Sequence, residues 1–322
     1  MADVNSEQIA ASILKGEIRA AAKLMREIDD GLPRALDTLK LLYAHVYKAQ
    51  IWGITGSPGV GKSTLTDALV TKLRGEGKTV GVVAVDPTSP FSGGAILGDR
   101  VRMQRHATDE GVFIRSLATR GHFGGITAST RGVVTVMAAM GKDVVIIETV
   151  GVGQDEVDVV AAADTTLVVT VPGMGDDVQA IKAGILEVGD VFVVNKADRD
   201  GVEATASQLE SMLAMDRDAP RRAGWMPPVV QTIASQSRGL DQLLEAIEGH
   251  RAVLTSDDGK LLAERRRERA RMEVMDILKA RTLRMLEERV EQNGRLQEMA
   301  DAIADGRMDP YTASENIMAG IF

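Results

Sequence analysis

The chain has 322 residues, a formal net charge of −8, 44% hydrophobic residues and only 3% aromatic residues. Its length implies about two domains, and the missing cysteine excludes a disulfide scaffold, a thiolate metal site and a cysteine nucleophile. The negative balance gives no general attraction to nucleic acid, Asp3 and Glu7 speak against a signal peptide, and no apolar run nears the roughly 20 residues of a membrane helix. A cytoplasmic protein with an aliphatic core and no membrane or nucleic-acid partner is expected.

Residues 1–47 read as a helical extension. Asn5 with Gln8 resembles a capping box, and Ile9, Ile13, Ile18 and Leu24 form an amphipathic stripe. Gly31-Leu32-Pro33 ends that helix, and a second runs from Arg34 to Lys48. Residues 48–252 alternate strands with helices. The runs Ile51–Thr55, Thr79–Val85, Val112–Leu117, Asp143–Glu148, Thr165–Val171, Val191–Val194 and Val229–Ile233 are short and mostly β-branched. The fold class is therefore α/β, a doubly wound and mostly parallel sheet with helices on both faces.

Residues 253–322 read as a charged helical arm. Met272, Met275, Leu278, Leu283, Leu286 and Val290 fall within an arc of roughly 140° at 3.6 residues per turn. Such a stripe needs a partner surface, either the chain's own globular part or a second copy. Arg265-Arg266-Arg267-Glu268-Arg269 mixes signs and reads as a solvated helix face.

Between the first strand and a helix with Leu65, Leu69 and Leu73 on one face stands Gly56-Ser57-Pro58-Gly59-Val60-Gly61-Lys62-Ser63, followed by Thr64. It fits G-x-x-x-x-G-K-[ST] without a mismatch. Glycines let the backbone turn its N–H groups toward a triphosphate at the positive end of the helix. Lys62 then reaches the outer phosphates and the Ser63 hydroxyl ligates Mg²⁺.

Asn195-Lys196-Ala197-Asp198 follows an apolar strand at its C-terminal end, where open α/β sheets bind ligands. Asp198 there can accept from guanine N1–H and its 2-amino group, donors that adenine does not offer. A site built on that pairing rejects adenine, so GTP and GDP are the expected nucleotides. Glu148-Thr149-Val150-Gly151 stands where most GTPases carry D-x-x-G. Glu148 can hold Mg²⁺ through a water, and the Gly151 N–H can read the γ-phosphate; the alternative for Glu148 is a solvent-facing strand cap. Val152 replaces the water-orienting glutamine of Ras-type enzymes, which predicts slow intrinsic hydrolysis, with Gln154, Asp155 and Glu156 near enough to substitute.

Val83 to Met103, with Asp86-Pro87-Thr88-Ser89-Pro90-Phe91-Ser92-Gly93-Gly94 and Gly98-Asp99-Arg100 within it, resembles the signature of the methylmalonyl-CoA mutase-associated GTPases, also labelled MeaB, ArgK or MMAA. Thr119-Arg120-Gly121-His122-Phe123-Gly124-Gly125, Glu148 to Gln154 and Asp309-Pro310-Tyr311 match the same family, so the resemblance spans nearly the whole chain. It implies a P-loop NTPase G domain with helical extensions, and a homodimer formed through the C-terminal helices. The implied role is a GTP-hydrolysing chaperone of an adenosylcobalamin-dependent acyl-CoA mutase. Mg²⁺ would accompany the nucleotide, and adenosylcobalamin would enter only through the client.

By position, the resemblance implies that Asp86, Asp99 and Glu148 line the Mg²⁺ site with Ser63. Asn195 and Asp198 would read guanine, and Ile233-Ala234 would occupy the loop whose backbone touches the base oxygen. Asp176, Asp177, Gln179 and Lys182 fall in a segment resembling the family's additional switch loop, with Lys182 as the coupling residue or an exposed helix lysine. His122 is expected to make a structural hydrogen bond. Three other readings compete, one of them a protein-targeting GTPase, which would need a membrane- or signal-binding appendage rich in exposed methionines, whereas the C-terminal arm is too charged and short. A metal-insertion GTPase needs a metal-handling cluster that four scattered histidines and no cysteine do not supply. A transport-linked kinase needs a phosphoacceptor partner.

Overall fold

The structure is a computed structural model that describes residues 4–86, 103–118, 128–149, 162–173, 189–215, 224–292 and 295–319. Its centre is a 7-stranded sheet of β1 (Gln50–Thr55), β2 (Val80–Asp86), β3 (Val112–Ala118), β4 (Val144–Glu148), β5 (Thr165–Thr170), β6 (Val191–Asn195) and β7 (Val229–Thr232). The order is β3-β2-β4-β1-β5-β6-β7, and every pairing is parallel. These strands lie within one residue of the expected runs at either end. Successive strands are laid to one side of β1 and then, from β5 on, to the other. That reversal opens a crevice at the C-terminal end of β1.

Both sheet faces are covered, and the strands show it residue by residue. In β4, Val145 and Ile147 enter one core while Val144 and Ile146 enter another, the period of two that a pleated strand imposes. The described helices are α1 (Val4–Leu14), α2 (Ile18–Asp29), α3 (Pro33–Leu42), α4 (Lys62–Gly75), α5 (Ala128–Ala139), α6 (Val202–Met215), α7 (Leu240–Gln292), α8 (Arg295–Ala304) and α9 (Pro310–Ala319). Helix α4 and the start of α7 cover one face through Leu65, Leu69, Leu243 and Ile247. Helices α1, α2 and α5 cover the other through Ile13, Leu24, Met25, Val133 and Met137.

The N-terminal segment therefore shares a core with β2 and β4. It also differs from the expectation of one long first helix. The chain turns at Gly16, in the left-handed region at φ 82°, and α2 starts afresh at Ile18. The turn shifts the helical phase, so Ile13 and Leu24 are fully buried while Ile18 stays 47% exposed. Asn5 lies inside α1 rather than at its cap. Pro33 opens α3, where its fixed φ suits the first helical position.

The chain divides into two compact units, Met1–Arg266 and Arg267–Phe322, and the division falls within α7. That helix is broken at Ser256–Gly259, where Asp257, Asp258 and Gly259 take φ of 50°, 56° and 72°. Residues beyond the break remain with the first unit because two arginines are held there. Arg265 donates to Asp190 Oδ1 at 3.0 Å and to Asp164 O at 3.2 Å. Arg266 lies 4.5 Å from the Tyr47 ring centroid, within the reach of a cation–π contact. Before the break, His250 is fully buried, with Nε2 3.3 Å from the same Asp190 oxygen and Nδ1 2.9 Å from the Thr165 hydroxyl. In the second unit Met275, Leu278 and Leu283 are 48%, 51% and 58% exposed.

Candidate active site

Residues 56–61 leave β1 and lead into α4 along a backbone that a side chain would block. A Cβ on Gly56 would lie 2.1 Å from Val169 O, and one on Gly61 would lie 2.6 Å from Asn195 Nδ2. Both residues have positive φ, 137° and 95°, where glycine carries no steric penalty. Pro58 and Gly59 are exposed at the crest, and Thr64 faces solvent on the first turn of α4. Lys62 and Ser63, in contrast, are 5% and 8% exposed. Lys62 Nζ donates to Gly56 O at 2.7 Å and Ser57 O at 3.0 Å, curling over its own loop. Hydrogen bonds of this kind are exchangeable for phosphate oxygens, which are stronger acceptors for a cation.

Glu148 ends β4, with Ile54 of β1 as its register partner. It is 3% exposed, so it is not a solvent-facing cap. Ser63 Oγ donates to Glu148 Oε1 at 2.5 Å. A hydroxyl and a carboxylate converging at the start of a helix form an all-oxygen donor set. That set fits Mg²⁺, which is bound through one or two carboxylates together with phosphates and waters. Asp86 closes β2 at the same edge of the sheet. Asp99, Gly151, Gln154, Asp176, Asp177, Gln179 and Lys182 lie outside the described residues, as does His122.

The segment Asn195–Asp198 is tied to this loop by its own side chains. Asn195 Nδ2 donates to Val60 O at 2.9 Å, while its Oδ1 accepts from Thr232 Oγ1 and Ala234 N, each at 3.1 Å. One buried asparagine thus joins the P-loop, β6 and the loop after β7, using both ends of its amide. Lys196, in the left-handed region at φ 56°, donates Nζ to Gly59 O at 2.6 Å. Asp198 is exposed at the turn, with its carboxylate available to solvent. Ile233 N donates to Arg238 O at 3.0 Å. The Ala234 amide is shared with Asn195, so this backbone is held in place by the asparagine.

Sequence reasoning missed a polar strip along α4. Arg105 Nε donates to Asp67 Oδ1 at 2.8 Å, and His106 Nε2 lies 3.0 Å from the same oxygen. Two turns further on, Arg74 donates to both oxygens of Asp109 at 2.8 and 2.9 Å. Asp67 and Arg74 are seven apart, so they lie on one helix face. They lay residues 103–109 along the helix that begins with Lys62 and Ser63. The spacing was legible, but its partners lie well over 30 positions away, where no local pattern points.

Comparison with known proteins agrees with this geometry. A family model described as methylmalonyl Co-A mutase-associated GTPase MeaB matches residues 22–291. A Pyrococcus abyssi chain named as a GTPase is 45% identical over 315 residues, covering 98% of this chain and 96% of its own. The methylmalonic aciduria type A homolog, mitochondrial, of Caenorhabditis elegans is 32% identical over 273 residues, covering 84% of this chain and 68% of its own. The crystal structure of LAO/AO transport system kinase matches at TM-score 0.73 and 26% identity, covering 100% of this chain and 99% of that one. With a complete phosphate-loop motif, the N-K-x-D pattern at Asn195–Asp198 and a family match over most of its length, the chain belongs to the MeaB family of methylmalonyl-CoA mutase-associated GTPases, enzymes that convert GTP to GDP and phosphate.

Proposed function

We propose that this GTPase is a chaperone that gates adenosylcobalamin loading into an acyl-CoA mutase and protects or reactivates that mutase, most simply methylmalonyl-CoA mutase. The observation that carries the reading is the family itself, whose description names the mutase. The C. elegans relative, named for methylmalonic aciduria, supports it. In this reading Lys62 holds the outer phosphates and Ser63 with Glu148 holds Mg²⁺, with Asp86 and Asp99 completing that site. Bound Mg²⁺ would neutralise charge on the phosphate oxygens. Asn195, Lys196 and Asp198 select guanine, with Ile233 and Ala234 behind the base. Gly151 senses the γ-phosphate, Gln154 is the candidate for orienting water, and Asp176, Asp177, Gln179 and Lys182 carry the state to the partner.

Residues 253–322 act in this reading as a dimerisation arm. The exposed Met275, Leu278 and Leu283 support it, because an apolar stripe on a charged helix gains stability by covering itself. A dimer of 34.4 kDa subunits should then sediment at micromolar concentration, and deleting residues 267–322 should give a monomer that still binds GTP.

The experiment that tests the chaperone role is GTP turnover across a titration of purified adenosylcobalamin mutases. The cognate mutase should stimulate hydrolysis, and tenfold stimulation requires only about 1.4 kcal/mol of barrier lowering. By linkage, the factor by which GTP tightens mutase binding is the factor by which the mutase tightens GTP binding. Lys182→Ala should blunt stimulation and leave basal turnover intact. A flat response to every mutase would leave a GTPase with another client. The likeness to LAO/AO transport system kinase names one such alternative, and transfer of radiolabelled phosphate from GTP to a partner protein would favour it.

A further inference from the structure

The strands that bring the two halves of the site together are also joined by a pair of hydroxyls. β1 ends at Thr55 and β4 at Glu148. One residue on, Thr149 N donates to Ile54 O at 3.1 Å, and the Thr149 hydroxyl lies 3.2 Å from the Thr55 hydroxyl and 3.5 Å from Ile54 O. Thr55 is fully buried and Thr149 is 2% exposed. A valine has the β-branched shape of threonine at either place but not its hydroxyl. Two buried hydroxyls at the ends of paired strands serve each other as partners, the Thr149 hydroxyl donating to that of Thr55.

Their placement brackets the site. Thr55 precedes Gly56, whose carbonyl accepts from Lys62, and Thr149 follows Glu148, which accepts from Ser63. Without the hydroxyl pair, the described hydrogen bond of Thr149 to β1 is that of its amide to the Ile54 carbonyl. With the pair, Thr149 is tied to β1 at a second residue, through side chains that are each restricted at χ1.

We propose that Thr55 and Thr149 are positioning residues whose hydroxyl bridge holds Glu148 in register with Lys62 and Ser63, and so sets the Mg²⁺ affinity of the nucleotide complex. This rests on the reading of Ser63 and Glu148 as metal-holding residues.

The test is an Mg²⁺ titration of GTP hydrolysis by the full-length protein, with GDP affinity in EDTA and thermal stability measured alongside. Thr149→Val and Thr55→Val should each raise the Mg²⁺ concentration for half-maximal turnover about fivefold, the scale of one net hydrogen bond. GDP affinity without Mg²⁺ should stay near the wild-type value. Thr149→Ser should restore the wild-type curve, and the Thr55→Val/Thr149→Val double variant should match either single one. Glu148→Gln tests the underlying metal reading by the same curve. If Glu148→Gln shifts the curve while neither valine variant does, the bridge proposal fails alone. A curve that Glu148→Gln leaves unchanged removes the metal reading and this proposal together. A shift that disappears in the double variant along with a recovered melting temperature would assign the hydroxyls to packing only, against the proposal.

Discussion

At the C-terminal ends of β1, β4 and β6, the groups that converge are backbone carbonyls, small hydroxyls and one asparagine, with Lys62 and Glu148 as the buried charges. At the N-terminal ends of β1, β5 and β6, Asp164 and Asp190 accept from the Ile51 and Thr166 amides. The same two residues hold Arg265, and Asp190 also faces His250. The first end grips through the polypeptide itself, with partners that phosphate oxygens can replace. The second is closed by side chains bonded to one another across long sequence distances. One end of the sheet is built to exchange partners and the other to keep them.

Gly56→Ala should break that contrast most severely. The new Cβ meets backbone at 2.1 Å and the residue must hold φ 137°, so the loop has to shift as a whole. Nucleotide affinity should fall at least a thousandfold, about 4 kcal/mol, as read by calorimetry with GDP, while the urea midpoint moves little. Asp190→Ala should do the reverse. Removing one member of a buried charged group leaves Arg265 facing a gap at a cost of about 3–5 kcal/mol. Urea unfolding should show that loss, and GTP turnover per folded molecule should stay at the wild-type value. A turnover defect in Asp190→Ala would show that the two ends are coupled.

The split between the ends also explains what could be read in advance. The central strands were legible because they are short, mostly β-branched runs buried on both faces, and Val144–Glu148 shows that pattern in five residues. The phosphate loop was legible because its demands are local: glycines at fixed offsets, a lysine, a hydroxyl and a following helix. Asn195 was identified by its motif, but its link to Val60, Thr232 and Ala234 was not, since those partners come from three separate elements. The Gly16 turn was missed because Ile13 and Ile18 continue an apolar rhythm across it. The Asp190 node was invisible for a deeper reason: Asp164, Asp190, His250 and Arg265 carry no common spacing, and only the folded sheet brings them together.

Asp198→Asn is expected to have a smaller effect, confined to the exchanging end. Each charge-assisted hydrogen bond to guanine is worth about 1.5–3 kcal/mol, so GTP affinity should drop by one to two such contacts. Xanthine nucleotides, which offer an acceptor where guanine offers a donor, should gain in relative affinity. Competition binding with GTP, xanthosine triphosphate and ATP measures this directly. Equal affinity of the wild-type protein for ATP and GTP would remove the guanine assignment.

The smallest effect expected is a pH response from the closed end. The two-pronged Arg74 contact holds the Asp109 carboxyl below its ordinary value of 3.8, and the Thr79 amide does the same for Asp143. Because their folded values lie below the unfolded one, the unfolded chain binds more protons in the acid range. Their contribution is therefore complete above about pH 5 and is lost as pH falls through 3.8 to the folded values. Beside them, burial pushes the Lys142 ammonium below its ordinary 10.5. The slope has the same sign in another window: the cost of burying that charge lifts as the amine deprotonates, so this residue too makes stability rise with pH, in the alkaline range. Melting temperature against pH for the wild type, Asp109→Asn and Lys142→Met separates the two. The gap between wild type and Asp109→Asn should be constant at neutral pH and close below pH 3.8. The wild type should gain on Lys142→Met above neutrality. A gap to Asp109→Asn that ignores pH would assign that contact to packing rather than to charge, and would make this edge of the sheet less electrostatic than the Asp190 node.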